Sequence, residues 1–212
     1  MPAKVDADGR RHRLVLAAAQ IIAEEGIGAL TNGRIAERLS ASTTVITHYF
    51  RNKRELILHT YQTMASRSRA RVEQAIADHP DPLSACLHAL LPLDDETRVE
   101  WKVWLAYQGM SVGDRELTDI WASRAASAID RIARIITADV TAGRMPQTVD
   151  ADSEAGRLFA LVQGMSFQSI VDPAHWPPAH LRRIVDLELA RLRTRSVSTP
   201  ATVPRRSVSL RR

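Results

Sequence analysis

The fold turns on Ser40–Lys53, "SASTTVITHYFRNK", where Thr43, Thr44, Val45, Ile46 and Thr47 run together before His48, Tyr49 and Phe50. By propensity this is a strand, because branched and aromatic residues suit a pleated, half-buried surface. Its flanks contradict that. Upstream, Arg11–Glu25 places Leu14, Ala17, Ala18, Ile21 and Ile22 at helical spacing and stops at Gly26 and Gly28. Thr31 then stands as an N-cap before "NGRIAERL", whose Ile35, Ala36 and Leu39 share one side. Downstream, a helix from Lys53 to about Ala77 carries Leu56, Leu58, Tyr61, Met64, Val72 and Ile76.

A helix of about fifteen residues followed by two short ones joined at "SA" has the spacing of a helix-turn-helix. If "STTVITHYF" is the second of the pair, Ser42 caps it. Ile46, Tyr49 and Phe50 then fall at i, i+3, i+4 and share the buried face. Thr43, Thr44, Thr47 and His48 point outward. Small hydroxyls and an imidazole suit a helix lying in a DNA major groove. Threonine bonds bases or phosphates, and its methyl packs on a thymine methyl. Lys53, just beyond, is placed for a phosphate. Poor helix propensity is then tolerated because tertiary packing holds the helix.

The rest of the chain is also helical. Proline-free stretches at 10–79 and 93–145 leave room for long helices. "LSACLHALL" follows Pro82; "DDETRVEWKVWLAYQGM" starts with three acids that suit a helix N-terminus. An apolar stripe runs from Ile120 to Val140, and further helices are expected from about Asp150 to Ile170 and after Pro178. The sequence predicts an all-α chain of about nine helices: an N-terminal three-helix helix-turn-helix domain and a larger helical ligand-binding and dimerisation domain. The divisions expected are a flexible arm at 1–9, a DNA-binding domain at 10–55, the larger domain at 56–193 and a disordered arginine-rich tail at 194–212.

Charge supports a polyanion partner at the ends. Residues 1–54 hold nine Lys/Arg and five Asp/Glu, residues 55–190 hold thirteen and nineteen, and residues 191–212 hold seven arginines and no acid. The tail is either a passive end or a source of sequence-independent phosphate contacts. Cys86 is the single cysteine, so no intrachain disulfide forms. No apolar run approaches a membrane span, and the polar start "MPAKVDADGRRHR" has no apolar signal core, so a cytoplasmic protein is expected. The seven histidines are scattered and form no metal or catalytic motif, and no phosphate loop appears. No enzyme, metal or cofactor is expected.

Three patterns, "AA..I..E.G", "T...IA..L" and "S.....HYF..K..L", span residues 10–58 and resemble the DNA-binding domain of TetR-type regulators. The regulatory half, with "W..WLAYQ", "D.EL..IW", "LF.LVQGM..Q.IVDP" and "WPP..L..IVD..L..L", resembles the BetI-type branch of that family. The resemblance covers about residues 10–193. It implies a repressor that binds a palindrome-like double-stranded operator as a homodimer. The dimer would form through helices at about 150–171 and 178–193, where Ala155, Gly156 and Gly164 allow close approach. A small-molecule effector would release it from DNA. The implied DNA-contacting residues are Thr31, Arg34, Ser42, Thr43, Thr44, Thr47, His48, Tyr49 and Lys53. The implied effector-binding residues are Trp101, Trp104, Tyr107, Gln108, Trp121, Phe159 and Gln163. The aromatics among them are either ordinary core or a cage for a choline-like cation. A helical small-molecule-binding protein without DNA binding is the alternative function. The chain departs from the family at Ser40 and Thr44, where glycine is usual.

Overall fold

The computed structural model describes residues 2–194, with side chains from Gly9 onward. Within them lie nine α-helices and no strand. They are α1 (Pro2–Glu25), α2 (Asn32–Leu39), α3 (Thr43–Tyr49), α4 (Lys53–Asp78), α5 (Pro82–Ala89), α6 (Asp95–Ser111), α7 (Arg115–Thr141), α8 (Ala151–Val171) and α9 (Pro178–Thr194). A short 3₁₀ turn, Ile27–Ala29, separates α1 from α2. The expected all-α class is observed. The arginine-rich tail expected to be disordered lies outside the described residues.

One boundary differs from expectation. Residues 2–9, expected as a flexible arm, form the first turns of α1. Pro2 sits at the first helical position, where its missing N–H is not needed, and no further proline interrupts the segment.

Short polar side chains set most helix starts. Thr31 accepts a hydrogen bond from Arg34 N, Asn52 from Glu55 N, Asp81 from Ser84 N and Asp114 from Leu117 N. Asp94 and Thr97 close a reciprocal capping box on α6. Each satisfies a backbone donor that the helix leaves unpaired. Gly26 (φ 85°) and Gly143 (φ 72°) end α1 and α7 in backbone that glycine adopts without steric cost.

Two apolar cores result. The first joins Leu14, Ala18, Ile21 and Ile22 of α1 to Ile35 of α2, Ile46 of α3, Phe50, and Leu56, Tyr61 and Met64 of α4. It continues into Val103 and Tyr107 of α6 and Leu117 of α7. The second gathers Val72, Leu87, Trp101, Ile132, Ile136, Leu158, Val162, Leu181 and Leu189 from α4 through α9. The first core therefore crosses the expected division at 55/56: the helix-turn-helix rests on α6 and the start of α7. Lys102 Nζ adds a polar tie, donating to the Ala23 carbonyl at 2.8 Å.

Candidate nucleic-acid interface and effector cavity

The strand-like stretch is a helix. α3 buries Ile46 completely and leaves Thr43, Thr44, Thr47 and His48 exposed; Tyr49 is half-buried and Phe50, its C-cap, is buried. Ser40 takes the left-handed backbone that glycine usually fills, with φ 50° and ψ 42°. The turn geometry is thus kept despite the side chain. Ser42 is the N-cap by position, but its hydroxyl makes no capping bond, contrary to expectation. Its φ of −84° and ψ of 150° place it in extended backbone, and its hydroxyl remains open to a phosphate.

The other expected DNA contacts are engaged to differing degrees. Thr47 Oγ1 donates to the Thr44 carbonyl at 3.0 Å, so a base contact would use its remaining lone pairs or a rotated hydroxyl. Thr31 spends one lone pair on the α2 cap and keeps its proton. Arg34 is held by Glu25, through both Nε and Nη2, and by Glu37 at 2.6 Å. The hydrogen bonds from Arg34 to Glu25, with the charges of Arg34 and Arg38 behind them, keep the Glu25 carboxyl below its ordinary value. Arg34 must exchange partners before it can take a phosphate. Lys53 Nζ reaches only the Gly28 carbonyl at 3.4 Å. Arg51, not anticipated from sequence, projects from the α3–α4 turn with 90% of its side chain exposed.

Behind α3, Arg11 lies over the Phe50 ring at 5.4 Å and contacts His59 Nε2 at 2.5 Å. Burial, and secondly the charge of Arg11, lower the His59 pKa, so the neutral ring is favoured.

The second feature is a cavity of about 680 Å³ between α4, α6, α7 and α8. Its size falls within the usual range of ligand pockets, about 300–1,000 Å³. Six of the seven expected effector-binding residues line it: Trp101, Trp104, Gln108, Trp121, Phe159 and Gln163. Tyr107 does not. It is fully buried and stacks on Tyr61 at 3.8 Å, and Tyr61 takes the lining position instead. Tyr107 lies one helical step off the Trp101–Trp104–Gln108 stripe, which turns it toward α1 and α4. Its hydroxyl donates to the Leu117 carbonyl at 3.3 Å, and burial pushes its pKa up to about 12.

Sequence reasoning also missed Arg124 and Arg131 in the cavity wall. A signal was present: Trp121, Arg124, Ala128 and Arg131 recur at i, i+3, i+7 and i+10, one face of α7. The Trp101 indole donates to the Leu90 carbonyl at 2.9 Å, whereas Trp104 Nε1 is buried with no acceptor.

Comparisons with known proteins agree with this architecture. Residues 14–60 match the bacterial regulatory proteins of the tetR family, and residues 80–194 match the C-terminal domain of BetI-type transcriptional repressors. The chain belongs to the TetR family, in its BetI-type branch. It is therefore a DNA-binding transcriptional regulator with a ligand-binding domain, not an enzyme. The HTH-type transcriptional regulator PksA of Bacillus subtilis is 25% identical over 189 residues, covering 87% of this chain and 90% of that one. The BetI regulator of Klebsiella pneumoniae is 33% identical over 108 residues, 49% of this chain and 55% of that one. A transcriptional regulator from Saccharomonospora viridis, crystallised with choline, shares the fold with a TM-score of 0.81. It is 23% identical, over 86% of this chain and 96% of that one. TetR-family regulators bind DNA operators and typically dimerise. Among the described residues no helix is long and apolar enough to cross a membrane.

The two C-terminal helices need a correction of detail. Leu158, Val162 and Met165 of α8 and Leu181, Val185 and Leu189 of α9, the main apolar stripes of these helices, belong to the subunit's own core. Ala155 is buried there too. The outward face is a different stripe of α8, Ala160, Gly164, Phe167 and Val171, and on α9 Leu187 is the exposed large apolar residue. Phe167, Val171 and Leu187 are 46%, 58% and 47% exposed.

Proposed function

We propose that this regulator represses transcription as a homodimer on a palindrome-like operator and is released when a small molecule fills the cavity between α4, α6, α7 and α8. The carrying observation is that α4 serves both ends. Its first turn follows the recognition helix, and Tyr61, Ser68 and Val72 further along it line the cavity. A ligand that prefers one arrangement of those walls acts on the helix bearing the DNA-binding domain. The operator affinity then falls by the ligand's differential affinity for the two states.

The DNA-facing set proposed is Thr31, Arg34, Ser42, Thr43, Thr44, Thr47, His48, Tyr49 and Lys53, with Arg51 added. Exposure of Thr43, Thr44, Thr47 and His48 supports base contacts; Thr31, Ser42, Lys53 and Arg51 suit phosphates. Dimerisation through the outward faces of α8 and α9 places two recognition helices about one DNA turn, ~34 Å, or somewhat more apart.

Selection of bound duplexes from a random library tests the DNA side. Enrichment of an inverted repeat is expected, and a Thr43→Ala/Thr47→Ala variant should lose preference for it while keeping salt-dependent nonspecific binding. Failure to enrich any sequence would favour a helical ligand-binding protein that does not read DNA.

A further inference from the structure

Resting on the cavity as the effector site, we propose that its effector is a monoanion: a carboxylate on an apolar or aromatic body, with the carboxylate on Arg124. The cavity brings three guanidinium groups into its lining, Arg69, Arg124 and Arg131, against one carboxylate, the exposed Asp119. Two of the three are answered from outside it. Glu73 takes Arg69 at 2.8 Å and Arg131 at 3.7 Å. Arg124 is not answered. Among the described residues it has no carboxylate within ion-pair distance, and its guanidinium lies over the face of Tyr61, 5.4 Å from the ring centroid.

That contact decides the sign of the ligand. A quaternary ammonium is held by open aromatic faces. Here the protein's own guanidinium lies over the Tyr61 face, so a cation drawn to the faces of Trp104, Trp121 or Phe159 shares the cavity with a fixed positive charge. An anion meets a half-buried guanidinium whose planar fork matches a carboxylate with two hydrogen bonds. Low dielectric strengthens that attraction and makes the like-charge alternative costly. The remaining walls suit the body of such a molecule. Trp101, Trp104, Trp121, Phe159 and Ile120 are apolar, and the amides of Gln108 and Gln163 can donate to its polar end. The chain shares its fold with the choline-bound Saccharomonospora viridis regulator, and in this chain a guanidinium of the same sign as choline already lies on the Tyr61 face.

The test uses the full chain and matched probes: 3-phenylpropanoate and decanoate, their neutral amides, and their trimethylammonium analogues, with choline beside them. Binding is read by tryptophan fluorescence and calorimetry, and release by anisotropy of a selected operator. A carboxylate should bind at least about tenfold more tightly than its amide and its cation, and should release the operator. Arg124→Gln should weaken the carboxylate about 10- to 100-fold, the range for a charged hydrogen-bonded group, and the amide by no more than about tenfold, the range for a neutral acceptor. An amide that still binds shows that the variant's cavity is intact. Tighter binding of the cations, or an Arg124→Gln variant that binds the carboxylate as well as the parent, overturns the anion assignment. Release by the cations alone would overturn it while leaving the cavity as the effector site. Binding of every probe class without release would overturn both, as would no binding at all.

Discussion

Replacing Phe167 by alanine should break the dimer without unfolding the subunit. Phe167 lies on α8 in the stripe Ala160, Gly164, Phe167 and Val171, and 46% of it is exposed in the isolated chain. A phenylalanine offers roughly 200 Å² of surface, so about 90 Å² remains to be buried by a partner. At about 25 cal/mol per Å² that is ~2 kcal/mol. A two-fold interface uses the same patch on both copies, so the loss doubles to ~4 kcal/mol, less what the alanine methyl retains. The dimer dissociation constant should rise by about 10² to 10³. The whole face is modest. Two helices about 25–30 Å long and ~20 Å wide cover roughly 600 Å² per subunit, near the lower limit for a stable pair, so one large side chain matters.

The monomer should not suffer. Alanine is a better helix former than phenylalanine, and Phe167 lies outside the subunit's own core. Sedimentation velocity across a concentration series measures dissociation, and circular dichroism checks the fold. Operator affinity should fall with dimer population, because each subunit alone reads one half-site. A Phe167→Ala variant with the parent's dissociation constant would refute this assignment of the interface. So would a parent chain that stays monomeric at high concentration.

Three further outcomes follow from buried or strained groups. Glu100 is fully buried and grips Arg71 through two hydrogen bonds, 3.0 and 2.7 Å, whereas Arg71 keeps 29% of its side chain exposed. Arg71→Met should therefore cost more stability, about 3 kcal/mol or more, than Glu100→Met, whose leftover arginine can reach water; equal urea-denaturation losses would contradict this. His59 has a lowered pKa in the fold, through burial and Arg11, with Glu55 at 4.0 Å opposing. Its contribution is complete above the ordinary histidine value of about 6.5 and is lost as pH falls toward the folded value, so His59→Gln should flatten the decline in urea midpoint below pH 6.5. Ser40 carries φ 50°, which costs an L-residue about 1–2 kcal/mol, while glycine adds about 0.4–1 kcal/mol of unfolded-chain entropy. Ser40→Gly should therefore raise the melting temperature slightly with operator affinity unchanged, and a lower melting temperature would show that the serine side chain supplies a missing stabilisation.

What the sequence made legible was whatever periodicity and capping control. The start of α2 follows from the cap Thr31 and that of α6 from the acids at 94–96, of which Asp94 closes the cap; Asn52, Asp114 and Asp150 cap α4, α7 and α8 in the same local way. α3 was legible against its own propensity because Ile46 and Phe50 had to be buried together. Tyr107 was misplaced because Trp101, Trp104, Tyr107 and Gln108 all fit one broad helical stripe. Which edge of that stripe meets a cavity depends on where α1 and α4 pack. The outward face of α8 was missed for a related reason. Its strongest apolar residues serve the subunit's own core, leaving a weaker stripe with a glycine and an alanine to face outward. The cationic side of the cavity escaped because Arg69, Arg124 and Arg131 come from two helices far apart in the chain. Arg124 and Arg131 on a polar face of α7 look solvated until neighbouring helices pack against them, whereas Arg69 stays mostly exposed at the rim.

The packing constrains how an effector can act. A hinge between the domains would need a gap in side-chain contact near residues 55 and 56, and none is present. Tyr61 of α4 stacks on Tyr107 of α6, Lys102 of α6 caps α1, and Arg54 of α4 bridges Asp114 and Glu116 at the start of α7. The same three long helices supply cavity residues: Tyr61, Trp104 and Gln108, then Trp121 and Arg124. Close-packed interiors switch between discrete arrangements and do not deform smoothly. The second core runs on from α4 and α7 into α8 and α9, so occupation of the cavity should shift α4, α6 and α7 with the helix-turn-helix by repacking that core against α8 and α9. Since α8 and α9 form the proposed dimer face, that displacement appears between subunits, as a changed distance between two intact recognition helices. Repression is then lost through half-site spacing, while each α3 keeps the same exposed threonines and the same fit to its own half-site.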